Sequence, residues 1–346
     1  MTEQAAAGRD RLEGVALVKD YAGRRGSPPV RAVGGVDLAV RRGELVALVG
    51  ESGSGKSTLG RIFLGLEAPT SGELRLGGTA VVLGSARDRR AHWRSVQLVF
   101  QDPFSCLNPT KTVGQLLSRP FRNFLGVSRS AAEAQVRDLL ELVNLAPGAS
   151  FLHRYPHELS GGQRQRVVLA RALAVDPEFI VADEPVSMLD VSVRAGVLAL
   201  MDRVRRERNV GVLYITHDLI SAQQVSDRIV VLYAGRVMEQ GPVDSVIGTP
   251  SHPYTRVLLA AVPGSPIGAD VPKRSANLTV DTRTAGCPFV AHCPLALALA
   301  RCASEPPPVV EITPGHSAWC HALSADAAPD VLVRTPAPAD GAPSAP

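Results

Sequence analysis

The segment Gly50-Glu51-Ser52-Gly53-Ser54-Gly55-Lys56-Ser57-Thr58 has the composition of a phosphate cradle. Its glycines let backbone N–H groups curl around phosphate oxygens, the helix that opens there adds partial positive charge, and Lys56 adds a full one. Ser57 can offer its hydroxyl to Mg²⁺. A second glycine-bearing helix start, Leu159-Ser160-Gly161-Gly162-Gln163, follows about a hundred residues later. Ser160 can cap a helix expected over 161–175, which makes this another anion-receptive helix end. Between that helix and the next lies the apolar run Phe179-Ile180-Val181-Ala182, closed by Asp183 and Glu184. One carboxylate at such a strand end can hold the hydration shell of Mg²⁺, and the other can orient and deprotonate a water. Those parts, charge neutralisation, a placed metal and an oriented water, are what phosphoryl transfer needs.

The elements that must position these groups are legible in the apolar patterning. Leu45-Val46-Ala47-Leu48-Val49 reads as a buried strand and 59–66 as a helix, so the phosphate-binding glycines sit at a strand-to-helix turn. Strands are expected at 15–18, 36–40, 74–83 and 96–100. From 102 to 175 the pattern turns helical, with a capping box at Ser130-Ala131-Ala132-Glu133 and one apolar face made by Ala132, Val136, Leu139, Leu140 and Val143. Apolar runs at 179–182 and 210–216, suited to strands buried on both faces, flank a helix over 191–204. A hairpin is expected at 227–237 around Ala234-Gly235. Alternating strands and helices imply an α/β core around a mostly parallel sheet.

Composition narrows the function. A chain of 346 residues with net charge +4 and no dense Lys/Arg block lacks the footprint of a nucleic-acid binder. Residues 1–11 contain no apolar core, so no secretory leader is expected, and no apolar run approaches the roughly 18 residues of a spanning helix. Any membrane contact is therefore expected through partner subunits. Cys106 stands alone, whereas Cys287, Cys293, Cys302 and Cys320 fall within 34 residues, spaced C-x5-C-x8-C-x17-C. In a reducing compartment such a group reads as metal or cluster ligands. Four thiolates suit Zn²⁺ or a [4Fe–4S] cluster, and the wide spacings depart from the tight C-x2-C knuckle of common zinc modules. The Ala/Pro-rich tail 324–346 cannot bury a core and is expected to be disordered.

The order of the two glycine-rich starts and the Asp183-Glu184 pair resembles the nucleotide-binding subunit of an ATP-binding-cassette (ABC) transporter over about residues 12–262. The resemblance implies a P-loop NTPase fold with an antiparallel β subdomain and a helical insert, and Mg²⁺ and ATP held by Gly50, Ser52, Gly53, Ser54, Gly55, Lys56, Ser57 and Thr58. It implies that Gln101 contacts metal and water while linking core to insert, that Asp183 serves Mg²⁺ and Glu184 the water, and that His217 reaches the γ-phosphate. Tyr21 is implied to stack on adenine. Ser160, Gly161, Gly162 and Gln163 are implied to address a nucleotide bound by the opposite subunit of a head-to-tail dimer, which is a second copy or a paralogue. Asp190 matches a loop that crosses this interface, where Met188 replaces the usual alanine; Cys106 replaces a usual serine in Phe104-Ser105-Cys106-Leu107-Asn108-Pro109.

The branch looks like the oligopeptide and dipeptide importers. It is marked by 96–104 with Leu107-Asn108-Pro109, by His252-Pro253-Tyr254-Thr255 with Ala261-Val262-Pro263, and by Gly286-Cys287-Pro288-Phe289 with His292-Cys293-Pro294. On this resemblance the chain divides into a flexible 1–11, a cassette over 12–262, a four-cysteine extension over 263–323 and the tail. Its implied partners are two permease subunits and, indirectly, an extracytoplasmic solute-binding protein, with the chain peripheral on the cytoplasmic face. The joint 101–109, with Phe104 and Leu107, is expected to dock a permease helix. Relatives bearing this extension can hold an iron–sulfur cluster, which favours the cluster over zinc. The competing readings are a soluble ABC ATPase acting on ribosomes or DNA and a metal-sensing regulatory ATPase. The first usually carries two cassettes or a long coiled coil, and this chain has neither.

Overall fold

Every side chain of Leu45–Val49 (β3) is buried, and its residues alternate between two cores. Leu45, Ala47 and Val49 join one apolar cluster, Val46 and Leu48 the other. A strand covered on both faces belongs inside a parallel sheet. The computed structural model, which describes residues 10–23, 29–262, 285–295 and 300–324, places it there. Around β3 stand Val96–Val99 (β6), Phe179–Asp183 (β7), Gly211–Thr216 (β8) and Arg228–Tyr233 (β9), all parallel in the order β9-β3-β8-β7-β6. Beyond β9 the sheet turns antiparallel through Arg236–Pro242 (β10), His316–Trp319 (β12) and Val309–Thr313 (β11). Two C-terminal strands are thus added to the same sheet.

A second, antiparallel sheet holds Arg11–Tyr21 (β1), Val30–Arg41 (β2), Ser71–Leu76 (β4) and Thr79–Ala80 (β5) in the order β2-β1-β4-β5. The run expected as one strand over 74–83 is instead a hairpin. Gly77 and Gly78 have φ of 60° and 78°, the two left-handed residues of a tight hairpin turn. The hairpin expected around Ala234-Gly235 is β9–β10, with φ of 47° and 77° at the turn.

The helices are Lys56–Phe63 (α1), Ala86–Ser95 (α2), Pro103–Cys106 (α3), Val113–Leu125 (α4), Arg129–Leu142 (α5), Gly161–Leu173 (α6), Val191–Arg208 (α7), Leu219–Val225 (α8), Val243–Gly248 (α9), Pro253–Ala260 (α10) and Arg301–Ser304 (α11). α2 has no counterpart in the apolar pattern, because only His92 of its ten residues is buried; a capping box between Ser85 and Asp88 starts it. The insert contains α3 to α6, and the expected face Ala132, Val136, Leu139, Leu140 and Val143 is buried. Its cap is Ser128, whose hydroxyl accepts from the Ala131 N–H, and not Ser130, which lies inside the first turn. Gly126, at φ 69°, ends α4 and brings the chain round so that Ser128 is the extended residue at the new helix start. The tail beyond Ser324 and the N-terminal residues before Asp10 lie outside the described residues.

Candidate functional site

Parallel strands put their C-terminal ends on one edge of the sheet, where ligands of open α/β sheets bind. β3 leads into the glycine loop, β7 ends in Asp183 before Glu184, β8 leads to His217 and β6 to Gln101, so residues far apart in sequence meet there. The loop itself demands glycine. At Gly50 (φ 154°) a Cβ would lie 2.1 Å from the Leu232 carbonyl oxygen, and at Gly55 (φ 103°) 2.3 Å from that of Ala32. The buried Lys56 ammonium donates to the carbonyls of Gly50 and Glu51, each at 2.7 Å, and lies 3.4 Å from Ser54 Oγ. These bonds hold the loop curled. Burial lowers the Lys56 pKa, while Glu184, Asp183 and Glu51 pull it back up.

The acidic pair is arranged asymmetrically. Asp183 is half-buried; burial first, then the neighbouring Glu184, raise its pKa above the usual range, against a hydrogen bond from Ser57 and the charges of Lys56 and Arg61. Ser57 and Asp183, expected to share Mg²⁺, thus act on each other. Glu184 has φ 46°, a left-handed conformation uncommon for a residue with a side chain, and its N–H donates to the Ile215 carbonyl at 2.9 Å. Its carboxylate is held from both sides: Gln101 Nε2 donates to Oε2 at 3.0 Å, and His217 Nδ1 lies 2.9 Å from Oε1. An ionised carboxylate only accepts, so Nδ1 carries the proton of that bond. Asp218, next to His217, caps α8 and pairs with Arg194 of α7 at 2.9 Å, which anchors the histidine's segment; no motif in the sequence marked this pair.

Tyr21 closes β1 with its hydroxyl donating to Glu67 Oε2 at 2.6 Å, and the Lys19 ammonium lies 5.2 Å from its ring centroid. Ser52, Gly53 and Ser57 are exposed, Ser54 buried and Thr58 half-buried. At the other glycine-rich start, Ser160 Oγ accepts from the Gln163 N–H and Gln163 Oε1 from the Ser160 N–H, a reciprocal cap that leaves Ser160 at the surface. Gly161 is half-buried, and at Gly162 a Cβ would lie 2.3 Å from Val193 Cγ1. Asp190 caps α7 through the Val193 N–H, flanked by the exposed Met188 and Val191.

One expectation needs correction and another finds no support. Leu107 is 2% exposed and packs in the core, so it cannot be a docking contact; Phe104, 59% exposed with the Arg164 guanidinium 4.1 Å from its ring centroid, can be. A metal or cluster site at the four cysteines finds no support among the described residues. Cys287, Cys302 and Cys320 are buried and Cys293 half-buried, none is in a disulfide, and among the described residues no three His, Cys, Asp or Glu side chains are grouped to hold a metal ion. Burial pushes the Cys287 thiol up to about 12, so it packs as a neutral apolar side chain.

The geometry has counterparts. Residues 33–187 match the ABC transporter family, and residues 238–302 match the oligopeptide/dipeptide transporter C-terminal region. A "probable peptide ABC transporter ATP-binding protein" of Sinorhizobium fredii is 42% identical over 304 residues, covering 87% of this chain and 85% of that protein. Among solved structures, the dimeric ATP-binding cassette MJ0796, in a post-hydrolysis state with ADP and Pi, superposes with a TM-score of 0.60 at 29% identity, over 67% of this chain and 98% of that one. CbiO1 from Clostridium perfringens, part of an ABC transporter complex, gives 0.62 at 26% identity, over 69% of this chain and 92% of that one. A curled lysine loop, a doubly held glutamate beside it and this likeness across most of the chain agree, and the chain belongs to the ABC transporter family as an ATP-hydrolysing, ATP-binding subunit.

Proposed function

We propose that the chain powers an importer for peptides or a related small solute. It would work as a pair of cassettes on two permease subunits fed by an extracytoplasmic binding protein, peripheral on the cytoplasmic face of the membrane. The relative's name and the match to the transporter C-terminal region support the cargo class. They also favour transport over a ribosomal, DNA-directed or metal-sensing role. No helix among the described residues is long and apolar enough to cross a membrane, so the membrane path falls to partners.

The observation that carries the site assignment is the Glu184 carboxylate held between Gln101 and His217. Glu184 takes a proton from the attacking water as oxygen bonds to the γ-phosphorus and the bond to the ADP oxygen breaks. Gln101 and His217 fix the carboxylate's direction. Lys56 and the loop N–H groups hold the phosphates, and Tyr21, steadied by Glu67 and Lys19, takes the adenine. Ser57, Asp183 and Gln101 would hold Mg²⁺, which supplies positive charge to the phosphate oxygens. Ser160 to Gln163 complete the site of the opposite subunit, and the exposed Met188 and Val191 suit the same interface. Glu184→Gln is expected to keep ATP affinity within about threefold and to lower turnover by at least about a hundredfold. Lys56→Ala is expected to weaken binding itself. Titration with a fluorescent ATP analogue and a phosphate-release assay measure both; near-normal turnover in Glu184→Gln rejects its role.

A groove of about 350 Å³, lined by Cys106, Asn108, Leu116, Arg119, Phe124 and Arg171 among others, lies between α3, α4 and α6. This groove is the proposed permease contact, and co-purification with integral-membrane subunits tests it against ribosome association. The division into a cassette over 12–262 and an extension over 263–323 is part of the same proposal. A [4Fe–4S] cluster on the four cysteines is proposed only as a state that ligation itself would assemble. Its support is that Cys293, Cys302 and Cys320 all act electrostatically on Cys287. Anaerobically purified protein with roughly four iron and four sulfide per chain would uphold it; stoichiometric zinc, or no metal, would reject it.

A further inference from the structure

The side chain of Tyr254 is fully buried at the start of α10, more than two hundred residues after the phosphate loop, yet it touches that loop. The Glu51 N–H donates to the Tyr254 hydroxyl at 3.2 Å. Glu51 also gives its carbonyl to Lys56, so the tyrosine bonds the residue on which the curled lysine closes. The Tyr254 ring is in turn set by the extension. Phe289 packs against it with centroids 5.3 Å apart and against Tyr233 at 5.4 Å, and Tyr233 lies 4.6 Å from Tyr254. Tyr233 ends β9 just before Gly235, whose N–H donates to the Ser54 carbonyl at 2.8 Å. Phe289 thus packs against a pair of mutually contacting tyrosines that each lead to the loop.

The extension has little freedom to withdraw that phenylalanine. Arg236 Nη1 donates to the Gly286 carbonyl at 3.1 Å, and the Cys287 N–H to that of Cys302 at 2.8 Å. Further on, Glu239 is buried in β10 and lies 2.7 Å from His316 Nε2 of β12, while its oxygens also accept from the N–H groups of Ser251 and His252 at 2.8 and 2.9 Å. One buried carboxylate therefore joins the cassette sheet, the extension and the residue that caps α10. His252 Nδ1 accepts from the Tyr254 N–H at 3.0 Å and so fixes the backbone from which the tyrosine projects.

We propose that Tyr254 is a positioning residue for ATP. Its hydroxyl keeps the nucleotide-free phosphate loop in the curled form, and its ring makes that hold depend on Phe289 of the C-terminal extension. A loop already shaped before the ligand arrives loses less entropy on binding, so the effect falls on affinity rather than on the chemical step. The proposal rests on the reading that residues 50–58 bind the phosphates.

The test uses the full-length protein, Mg²⁺ and a fluorescent N-methylanthraniloyl ATP. Tyr254→Phe keeps the ring and removes the hydroxyl. It is expected to raise the Kd for the nucleotide and the KM for ATP about three- to tenfold, with kcat within about twofold. Hydrogen exchange over 45–60 in the nucleotide-free protein should quicken in the same variant. Phe289→Leu should shift Kd and exchange in the same direction, and its effect should largely vanish in the Tyr254→Phe background. Unchanged Kd and exchange in Tyr254→Phe would overturn the proposal, as would a fall in kcat at constant KM. Additive effects in the double variant would overturn the dependence on the extension. Lys56→Ala separates the two readings: weakened binding there with none in Tyr254→Phe sinks only this proposal, whereas unchanged binding in Lys56→Ala sinks both.

Discussion

At the scale of single residues the site is held in a form that costs stability. Asp183 has a raised pKa because burial and Glu184 outweigh Ser57 and Lys56. A carboxyl whose folded pKa lies above its unfolded value binds protons more readily when folded, so its ionised form opposes folding at neutral pH and the cost fades as pH falls. Asp183→Asn removes the charge. The variant is expected to melt higher than the parent without nucleotide at pH 7.5, by roughly 2–4 °C for each kcal/mol relieved, while hydrolysis is lost. Differential scanning calorimetry beside a phosphate-release assay checks this, and a lower melting temperature would contradict it. Glu184 shows the same trade in its backbone, since φ 46° is tolerated where it aims a carboxylate between Gln101 and His217.

Among the elements, α3 and the residue that ends it show how two nearby apolar residues separate into different roles. Leu107→Ala empties a packed position and is expected to cost about 2–5 kcal/mol of stability. Phe104→Ala should leave stability nearly unchanged and instead lower transport per ATP hydrolysed in a reconstituted complex. If both functions of Phe104→Ala fall in parallel, the joint is structural. The start of α10 carries a pH dependence. Burial lowers the His252 pKa to about 3, from 6.5, so the unfolded chain takes up a proton that the folded one refuses as pH falls from 6.5 towards 3. Stability on this account is full above about pH 6.5 and declines below it, by up to about 1.4 kcal/mol per pH unit. His252→Asn keeps an acceptor at the helix cap and cannot titrate. Urea unfolding at pH 7.0 and 4.5 should show a smaller loss in that variant; an equal loss would place the effect elsewhere.

For the whole molecule, the two glycine-rich starts are proposed to serve different subunits. Gly162 packs its backbone against Val193 at the head of α7, close to Asp190 and the exposed Met188 and Val191. Gly162→Ala would push that helix start away, and is expected to abolish ATP-induced pairing in the Glu184→Gln background while each monomer still binds ATP. Sedimentation velocity with and without Mg·ATP reads the pairing. A dimer that persists with unchanged affinity would show that this face is not the interface.

Much of the site was legible because local chemistry wrote it: Gly50 to Thr58, Ser160 to Gln163 and Asp183-Glu184 each need particular residue types at fixed spacing, and β3, β7 and β8 need continuous apolar runs. Where a local rule was weak, the reading slipped. The Gly77-Gly78 turn split one expected strand, Ser128 displaced Ser130 as a cap, and α2 buries too little to show a period. Cysteine spacing suggests a metal site, but spacing says nothing of side-chain direction, and three of the four thiols are buried. Which strand neighbours which, and hence that Gln101 and His217 meet on Glu184, that Leu107 is buried while Phe104 is not, and that Tyr254 reaches Glu51, depends on long-range pairing. Residue types set the chemistry available at each position, whereas only packing of the whole sheet, which couples segments as far apart as Glu51 and Tyr254, decides which of those groups come within hydrogen-bonding distance.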